Sequence, residues 1–558
     1  MLYAFRRSTR NPTRANAFYT SEIDGVNTKV RPYDFIMKNP PEKQPTAPLP
    51  RPGFLSALKS YGHPRVVTMF FFGFSCGLPL LLIFSSLSLW LREAEIERAT
   101  VTYFSWAALG YSFKFVWAPI IDKLPLPWLT RRLGRRRGWL LPAQLGIVGA
   151  IVWIALSDPA QSLTGMALAA VLLGLLGATQ DIVVDAYRIE SADQSLQALM
   201  SSTYIAGYRV GMLAAGAGTL KLAAWFGGLE YAQSYSYDAW RDAYLCMALL
   251  MGVGIATTLI IREPELQPAP SPYLAHTRDY VRFLALFLLV LGSFVAAFWG
   301  SGLLLPAVFP LLGAADGPVW AGFAAKTGQL VLGVGLALGV ARLAVAGGVA
   351  RREMVRETYL DPIGNFFHRH GRGALLILAL IGVYRISDIL LSVIANVFYT
   401  DVGFDKDQIA DISKTFGLLM TILGGFLGGI LARRYGVMPI LFTGALLSAG
   451  TNLLFVLLAQ AGPSVGLLTV VIAADNLSAG LAGAAFVAYL SGLTHISFTA
   501  SQYAIFTSLM TLLPKFLGGY SGAMVDTMGY GTFFVMTALV GIPVLVLIRL
   551  VYRFRPGD

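Results

Sequence analysis

The sequence predicts an all-α polytopic membrane protein with about fourteen transmembrane helices, and three observations carry that prediction. Of the 558 residues, 56% are hydrophobic and only 13% are charged, more apolar surface than aqueous cores in a chain this size would bury. Apolar runs of twenty or more residues, enough to cross a bilayer's hydrocarbon core, recur along almost the whole chain. The Lys and Arg residues behind the net charge of +12 fall mainly in short connections between those runs, where they act as topology signals. A basic face for nucleic acid would gather them on one surface. The expected partner is therefore the lipid bilayer, with no nucleic acid. Cys76 and Cys246 both sit inside apolar runs, so neither a disulfide framework nor a Cys-rich metal site is available.

Residues 1–64 are polar, begin with Arg6, Arg7, Arg10 and Arg14, and include a Pro-rich stretch from Pro40 to Pro52; they read as a disordered cytoplasmic tail. Six spans follow in an N-terminal half, 65–262: Val66–Leu91, Val101–Ile121, Trp139–Ser157, Thr164–Ala186, Ser201–Phe226 and Arg241–Ile261. Six more occupy 374–558: Ala374–Tyr399, Asp407–Ala432, Val437–Gln460, Val465–His495, Phe498–Val525 and Gly531–Val551. The linker, 263–373, contains Val281–Pro310 and Gln329–Val349, an inserted hairpin of spans.

Cytoplasmic connections carry the excess of Lys and Arg. The basic connections hold Lys123, Arg131, Arg132 and Arg135 to Arg137, then Arg351, Arg352 and Arg356, then Arg433 and Arg434, then Arg549, Arg553 and Arg555. Between them, Asp158–Leu163, Gly227–Trp240 and Ala461–Ser464 hold no Lys or Arg beyond the span edges. Arg92 and Arg98 are exceptions. The balance places both termini in the cytoplasm.

Six spans, a cytoplasmic break and six spans is the plan of major facilitator transporters, whose substrate site lies between the halves near the midplane. One loop agrees. Asp122-Lys123 followed by Gly134-Arg135-Arg136-Arg137-Gly138 resembles the acidic-then-basic signature between the second and third helices of that superfamily. The matching loop of the second half, Gly428 to Gly436, keeps glycines and bases and lacks the acid. Asp122, Arg135 and Arg136 are therefore candidates for a charge clamp that breaks when the halves rock; plain retention of positive charge accounts for the arginines as well.

A charge at bilayer depth costs roughly 2.5–3.5 kcal/mol on insertion scales, so ionisable residues inside spans are functional candidates. Asp181 and Asp185 lie four apart on one helix face. Arg209, on the next span, lies at a depth similar to that of Asp181, and an Asp181–Arg209 pair would either pin the hairpin or handle protons or substrate. Lys114 is mid-span, too deep for easy snorkelling. Arg385 and Asp388 are three apart and can pair with each other. Lys414, Asp475, Asn476 and Lys515 complete the polar set. The acids Asp181, Asp185, Asp388 and Asp475 are proton-coupling candidates. Lys114, Gln180, Arg209, Arg385 and Lys515 are candidates for substrate contact, with Trp106 and Tyr111 as stacking surfaces for a sugar ring. Gly73 with Gly77, Gly207 with Gly211, and Gly425 with Gly429 suit close helix packing. His368 and His370 have no companion ligands, so no metal is expected. No phosphate loop, nucleophile triad or haem motif is present; the chain is expected to be neither an enzyme nor a cofactor protein.

Several strings together resemble the AmpG family of muropeptide permeases. They are Gly73-Phe74-Ser75-Cys76-Gly77-Leu78-Pro79, Phe113-Lys114-Phe115 with Trp117, Ala118, Pro119 and Asp122, Gly134 to Leu141, Ala178 to Ala186, Gly207 to Leu213, and Lys414-Thr415-Phe416-Gly417. The likeness runs in order from about Arg65 to Val551. It implies a proton-dependent permease of the Gram-negative inner membrane. Such a permease imports N-acetylglucosaminyl-anhydro-N-acetylmuramyl peptides for peptidoglycan recycling and feeds the signal that induces beta-lactamase. The inserted hairpin and the long N-terminal tail depart from the family pattern. The rival expectations are another major facilitator substrate, such as an acetyl-CoA-like solute or an exported drug, and a membrane-embedded glycan or lipid enzyme.

Overall fold

The structure is a computed structural model that describes residues 19–23, 26–30, 53–97, 101, 104, 107, 109–231, 235–264, 277–308, 319–405, 408–518 and 521–553. It divides into two compact units, 1–52 and 53–558. The first holds an antiparallel ribbon of β1 (Tyr19–Ile23) and β2 (Val26–Val30), with Tyr19 opposite Val30 and Ile23 opposite Val26.

The second unit is a helical bundle. Its N-terminal half contains α1 (Pro64–Glu93), α2 (Leu109–Phe113), α3 (Ala118–Lys123), α4 (Arg135–Ala155), α5 (Leu163–Ser191), α6 (Gln194–Gly228) and α7 (Tyr237–Ile260). The inserted hairpin is α8 (Thr277–Val308) and α9 (Val319–Ala346). The C-terminal half contains α10 (Gly373–Val402), α11 (Asp411–Tyr435), α12 (Val437–Ala461), α13 (Val465–Leu493), α14 (Thr499–Gly518) and α15 (Ser521–Arg553).

Twelve helices among the described residues are long and apolar enough to cross a membrane, so the expected count of fourteen is not confirmed. The second expected span, Val101–Ile121, is described only in part. It tightens into a 3-10 turn at Lys114–Val116 and restarts at Ala118 with Pro119 in the first turn. Proline lacks the N–H that would bond the carbonyl of Phe115 and crowds that carbonyl, which breaks the ladder there. In α9 the qualifying apolar stretch is the shorter Val331–Ala346.

Glycine sets the closest helix crossing. A Cβ built on Gly73 would lie 2.1 Å from the Tyr204 carbonyl oxygen, on Gly77 2.2 Å from that of Tyr208, and on Gly207 2.0 Å from that of Phe70. The backbones of α1 and α6 thus touch, as small residues allow. In the C-terminal half the expected pair Gly425 and Gly429 also lies at close crossings. The contact between α11 and α13 is made by Gly424, Gly425, Gly428 and Gly480, while Gly429 faces Tyr61, Ser202 and Ala198. Leu249, Ile260, Leu343 and Leu375 are among many aliphatic side chains more than half exposed on the outer faces, as a lipid solvent requires. The hairpin is peripheral: 11% of the spanning stretch of α8 is buried, against 61% for α1 and α5. It rests on the N-terminal half through Phe283, which packs with Ile120 and Leu124, and through Phe294 against Phe113.

Candidate functional site: an inter-half latch and a charged interior

At the end of the bundle bearing the basic loops, the halves are joined by a buried charge network. Asp122 ends α3, Arg135 and Arg136 open α4, and Glu190 lies in the last turn of α5. Arg136 donates from Nη2 to Asp122 Oδ1 at 2.8 Å and to Glu190 Oε1 at 2.5 Å, and from Nε to Glu190 Oε2 at 2.9 Å. Arg135 adds a 2.9 Å bond to Glu190. The same acids reach into the other half. Asp122 accepts the backbone N–H groups of Ala500 (3.1 Å) and Ser501 (2.7 Å) and the Ser501 hydroxyl (2.7 Å), and Glu190 accepts from the Thr499 hydroxyl at 2.8 Å. Asp122 therefore caps the first turn of α14, satisfying orphan N–H groups and complementing the positive end of the helix dipole.

The expected clamp residues Asp122, Arg135 and Arg136 are thus brought together. Sequence reasoning missed Glu190 and Thr499 to Ser501. An acid in the final turn of the helix carrying Asp181 and Asp185 was the available signal for Glu190. Although burial pushes the Asp122 carboxyl up, the charges of Arg136 and Arg135 and the Ser501 hydrogen bond outweigh it and hold it below the usual carboxylate range. A lowered pKa gives stability that is complete above the unfolded value and is lost as pH falls through the folded one, so the Asp122 carboxyl stays ionised at neutral pH. Two further contacts close the same end. Arg188 donates to Ser491 Oγ at 2.7 Å and lies over the Tyr503 ring, and Tyr61 donates to the Phe426 carbonyl at 2.9 Å.

Deeper in the N-terminal half, Lys114 Nζ sits 3.8 Å from Asp185 Oδ2, and Arg188 Nη2 sits 3.3 Å from Asp185 Oδ1. The expected Asp181–Arg209 pair is not formed. Asp181 accepts instead from the Tyr204 hydroxyl at 3.4 Å. Tyr204 and Arg209 are five residues apart, about 140° around a helix, so only one of them can face α5. Gln180 donates to Cys76 Sγ at 3.3 Å and leaves its buried Oε1 without a hydrogen bond. The Tyr111 hydroxyl is buried without a partner among the described residues and presses on the α5 backbone at Gly177. Trp106 and the side chain of Lys515 lie outside the described residues.

In the C-terminal half, Arg385 Nε is 3.5 Å from Asp388 Oδ2, as the spacing predicts. Ser448 donates to Asp388, and Thr451 donates to Asp475 at 3.4 Å. Lys414 is exposed and bonded to Asn396, and Asn476 accepts from Thr421 at 2.9 Å. Arg209 makes no ion pair or hydrogen bond among the described residues; it is half-buried on α6. No group of three or more potential metal ligands occurs among the described residues.

Two helical halves meeting around a charged interior define a transporter of the major facilitator fold. The proton:xylose symporter XylE superposes with a TM-score of 0.56 at 14% identity, covering 89% of this chain and 96% of its own. The Escherichia coli fucose:proton symporter FucP does so with 0.55 at 10% identity, covering 88% and 99%. The chain is a multi-pass membrane transporter. A family model described as acetyl-coenzyme A transporter 1 matches residues 66–160. The longer similarities are to the anhydromuropeptide permease of Escherichia coli strain K12, 27% identical over 493 residues (88% of this chain, 80% of that one), and to the AmpG 4 protein of Rickettsia conorii, 28% identical over 487 residues (87% and 96%). The chain is thus similar over most of its length to proteins named as AmpG transporters and as an anhydromuropeptide permease, as its motifs indicate, and these are transporters, not enzymes.

Proposed function

We propose that this chain is a proton-dependent permease that carries anhydro-muropeptides from periplasm to cytoplasm across the Gram-negative inner membrane, for peptidoglycan recycling and the beta-lactamase signal drawn from it. The observation that carries this reading is the similarity to the anhydromuropeptide permease over nearly nine-tenths of the chain, joined to an interior suited to an anionic solute. The distribution of Lys and Arg sets the basic loops and both termini in the cytoplasm. In that orientation the latched end is cytoplasmic, so the conformation loads from the periplasm, as an importer requires. Lys114, Arg209, Arg385 and Lys515 serve the peptide carboxylates, Gln180, Trp106 and Tyr111 the sugars, and Asp181, Asp185, Asp388 and Asp475 the protons.

An anion moving inward works against the membrane potential by about 2.3 kcal/mol per charge per 100 mV. Protons carried with it cancel that charge. The match of residues 66–160 to the acetyl-coenzyme A transporter model favours a second reading, an acyl-coenzyme A carrier, which the same basic groups would serve through phosphates.

Deleting the gene should make cells shed anhydro-muropeptides into the medium, and the wild-type chain should restore retention. Retention should fail under a protonophore with ATP held constant. A deletion strain that sheds no more than its parent contradicts the reading.

A further inference from the structure

A further helix lies outside both the latch and the charged interior. It runs across the linker as Arg352–Val355, a π-turn at Arg356–Leu360 and Asp361–His370. Only Gly371 and Arg372 separate it from α10, which starts at Gly373, and two residues reach about 7 Å at most. A helix tied so closely to a spanning helix lies at the bilayer surface. Its other end is tied there too, because Arg351 pairs at 3.3 Å with Asp279 in the first turn of α8.

One face of this linker helix grips the bundle. Gln502 of α14 donates to the Pro362 carbonyl at 2.8 Å, and Arg369 donates to the Leu493 carbonyl, at the end of α13, also at 2.8 Å. The Phe366 ring lies 5.2 Å from that of Phe506. Toward the other half, Met354 packs in one cluster with Ile120 of α3 and with Leu124. The helix therefore touches both elements that the latch joins. Ser501 of α14 holds Asp122 of α3, and the next residue, Gln502, holds the linker helix.

The adjoining face is apolar and uncovered. At about 100° per residue, Leu360, Ile363 and Phe367 fall within about 60° of one another, and they are 61%, 46% and 38% exposed. Lipid is the solvent that takes their surface out of water. Arg352, Arg356 and Arg372 flank this stripe and are exposed; Arg356 keeps 75% of its side chain open beside Asp361, 3.5 Å away. Over residues 351–372 five arginines outnumber the acids Glu353, Glu357 and Asp361. An apolar stripe between arginines, at the level of the bilayer surface, is the pattern of a helix lying in that surface, and anionic headgroups complement its charge.

We propose that the linker helix lies in the lipid leaflet at the basic end of the bundle and steadies the closed latch from there. Leu360, Ile363 and Phe367 enter the acyl chains, and Arg352, Arg356 and Arg372 meet anionic phospholipid headgroups. Opening moves α3 away from α14, so the helix must let go of one of them. Its α14 end is held by hydrogen bonds and its α3 end by apolar packing, which makes Met354 the contact that yields. A helix held flat on the surface keeps both ends in place, and a ligand that binds one arrangement more tightly shifts the population toward it. This seat requires no particular solute, so it stands or falls apart from the substrate reading.

The test uses the full chain in vesicles of phosphatidylcholine, alone or with an equal part of phosphatidylglycerol. A thiol-reactive dye is placed at Ile363→Cys or at His368→Cys, about 140° apart on the helix, and read above the background of Cys76 and Cys246. Brominated acyl chains should quench the dye at position 363, and aqueous iodide the dye at position 368. In the same vesicles, thiol labelling of Ala504→Cys, a position of α14 that is 2% exposed, should be about fivefold slower with phosphatidylglycerol than without it, the worth of one arginine at an anionic surface. Arg352→Gln, Arg356→Gln and Arg372→Gln together should erase that difference and leave the rate in phosphatidylcholine alone unchanged, which shows that the variant folds. Iodide quenching at both positions overturns the seat and leaves the stripe to a protein partner. Lipid quenching at position 363 with labelling indifferent to phosphatidylglycerol keeps the seat and overturns its hold on the latch. A lipid effect that survives in the triple variant overturns the three arginines as headgroup contacts. Equal slowing by inorganic phosphate in phosphatidylcholine vesicles overturns the lipid and leaves a simple anion site.

Discussion

Gly207→Ala should prevent stable assembly of the N-terminal half. The Cβ it adds would sit 2.0 Å from the Phe70 carbonyl oxygen, with the Phe70 carbonyl carbon at 2.8 Å and Cα at 3.0 Å. All three are backbone atoms, so no rotamer change relieves the overlap. α1 and α6 would have to separate by about 1 Å or more to restore van der Waals contact. That separation would also open the matched contacts at Gly73, Gly77 and Gly211. Overpacking in a yielding core costs about 1–3 kcal/mol; a rigid backbone crossing puts this case at or above about 3 kcal/mol. Membrane abundance should fall severalfold, and the thermal midpoint in detergent should drop. Gly149→Ala in α4, where a Cβ meets nothing within 4 Å, is the control and should leave both unchanged. A Gly207→Ala protein with wild-type abundance and a midpoint within about 2 °C would show that the helices do not cross this closely.

Asp122→Asn should release the latch and stop transport. The substitution leaves Arg136, 1% exposed, with Glu190 as its remaining acid, and puts an amide group where three donors of α14 point. Breaking a buried ion pair from one side costs about 3–5 kcal/mol, and here the cost falls on the closed arrangement of the halves. The readout is thiol labelling of Ala504→Cys, a position on α14 only 2% exposed, measured above the background of Cys76 and Cys246. Labelling should be slow with Asp122 present and about tenfold or more faster with Asn. In the Asp122 protein the rate, taken relative to that of a free thiol at the same pH to remove the change in thiolate fraction, should be flat between about pH 5 and 8, because the carboxyl, held down by Arg136 and Arg135, stays ionised throughout. A relative rate that rises on mild acidification would mean that protons open the latch directly.

Some of this was legible in the sequence for definite reasons. Spans follow from run length, and the close packing of α1 and of α6, though not their crossing on each other, follows from glycines four apart. The clamp triad Asp122, Arg135 and Arg136 follows from a local loop pattern. What lay hidden depends on azimuth or on distant partners. Depth along a helix places Arg209 level with Asp181 but does not say which way it points, and Tyr204 takes the position facing α5. The same limit hid Gly424 and Gly428, which share the α11–α13 contact with Gly425, and the turn of Gly429 toward α6. Thr499 meets Glu190 and Ser501 meets Asp122 across more than 300 residues, a pairing that no local period encodes. The break at Lys114–Val116 was readable in principle from Pro119, but a run of apolar residues masks it.

The central claim is transport of anhydro-muropeptide, and uptake into proteoliposomes tests it most directly. The purified chain would be reconstituted and given labelled N-acetylglucosaminyl-anhydro-N-acetylmuramyl tripeptide outside, with a proton gradient directed inward. The expected result is accumulation above the external concentration that collapses when the gradient is dissipated and is lost with Arg209→Gln. Labelled acetyl-coenzyme A accumulating in its place, or a muropeptide signal no greater than that of protein-free liposomes, would contradict it.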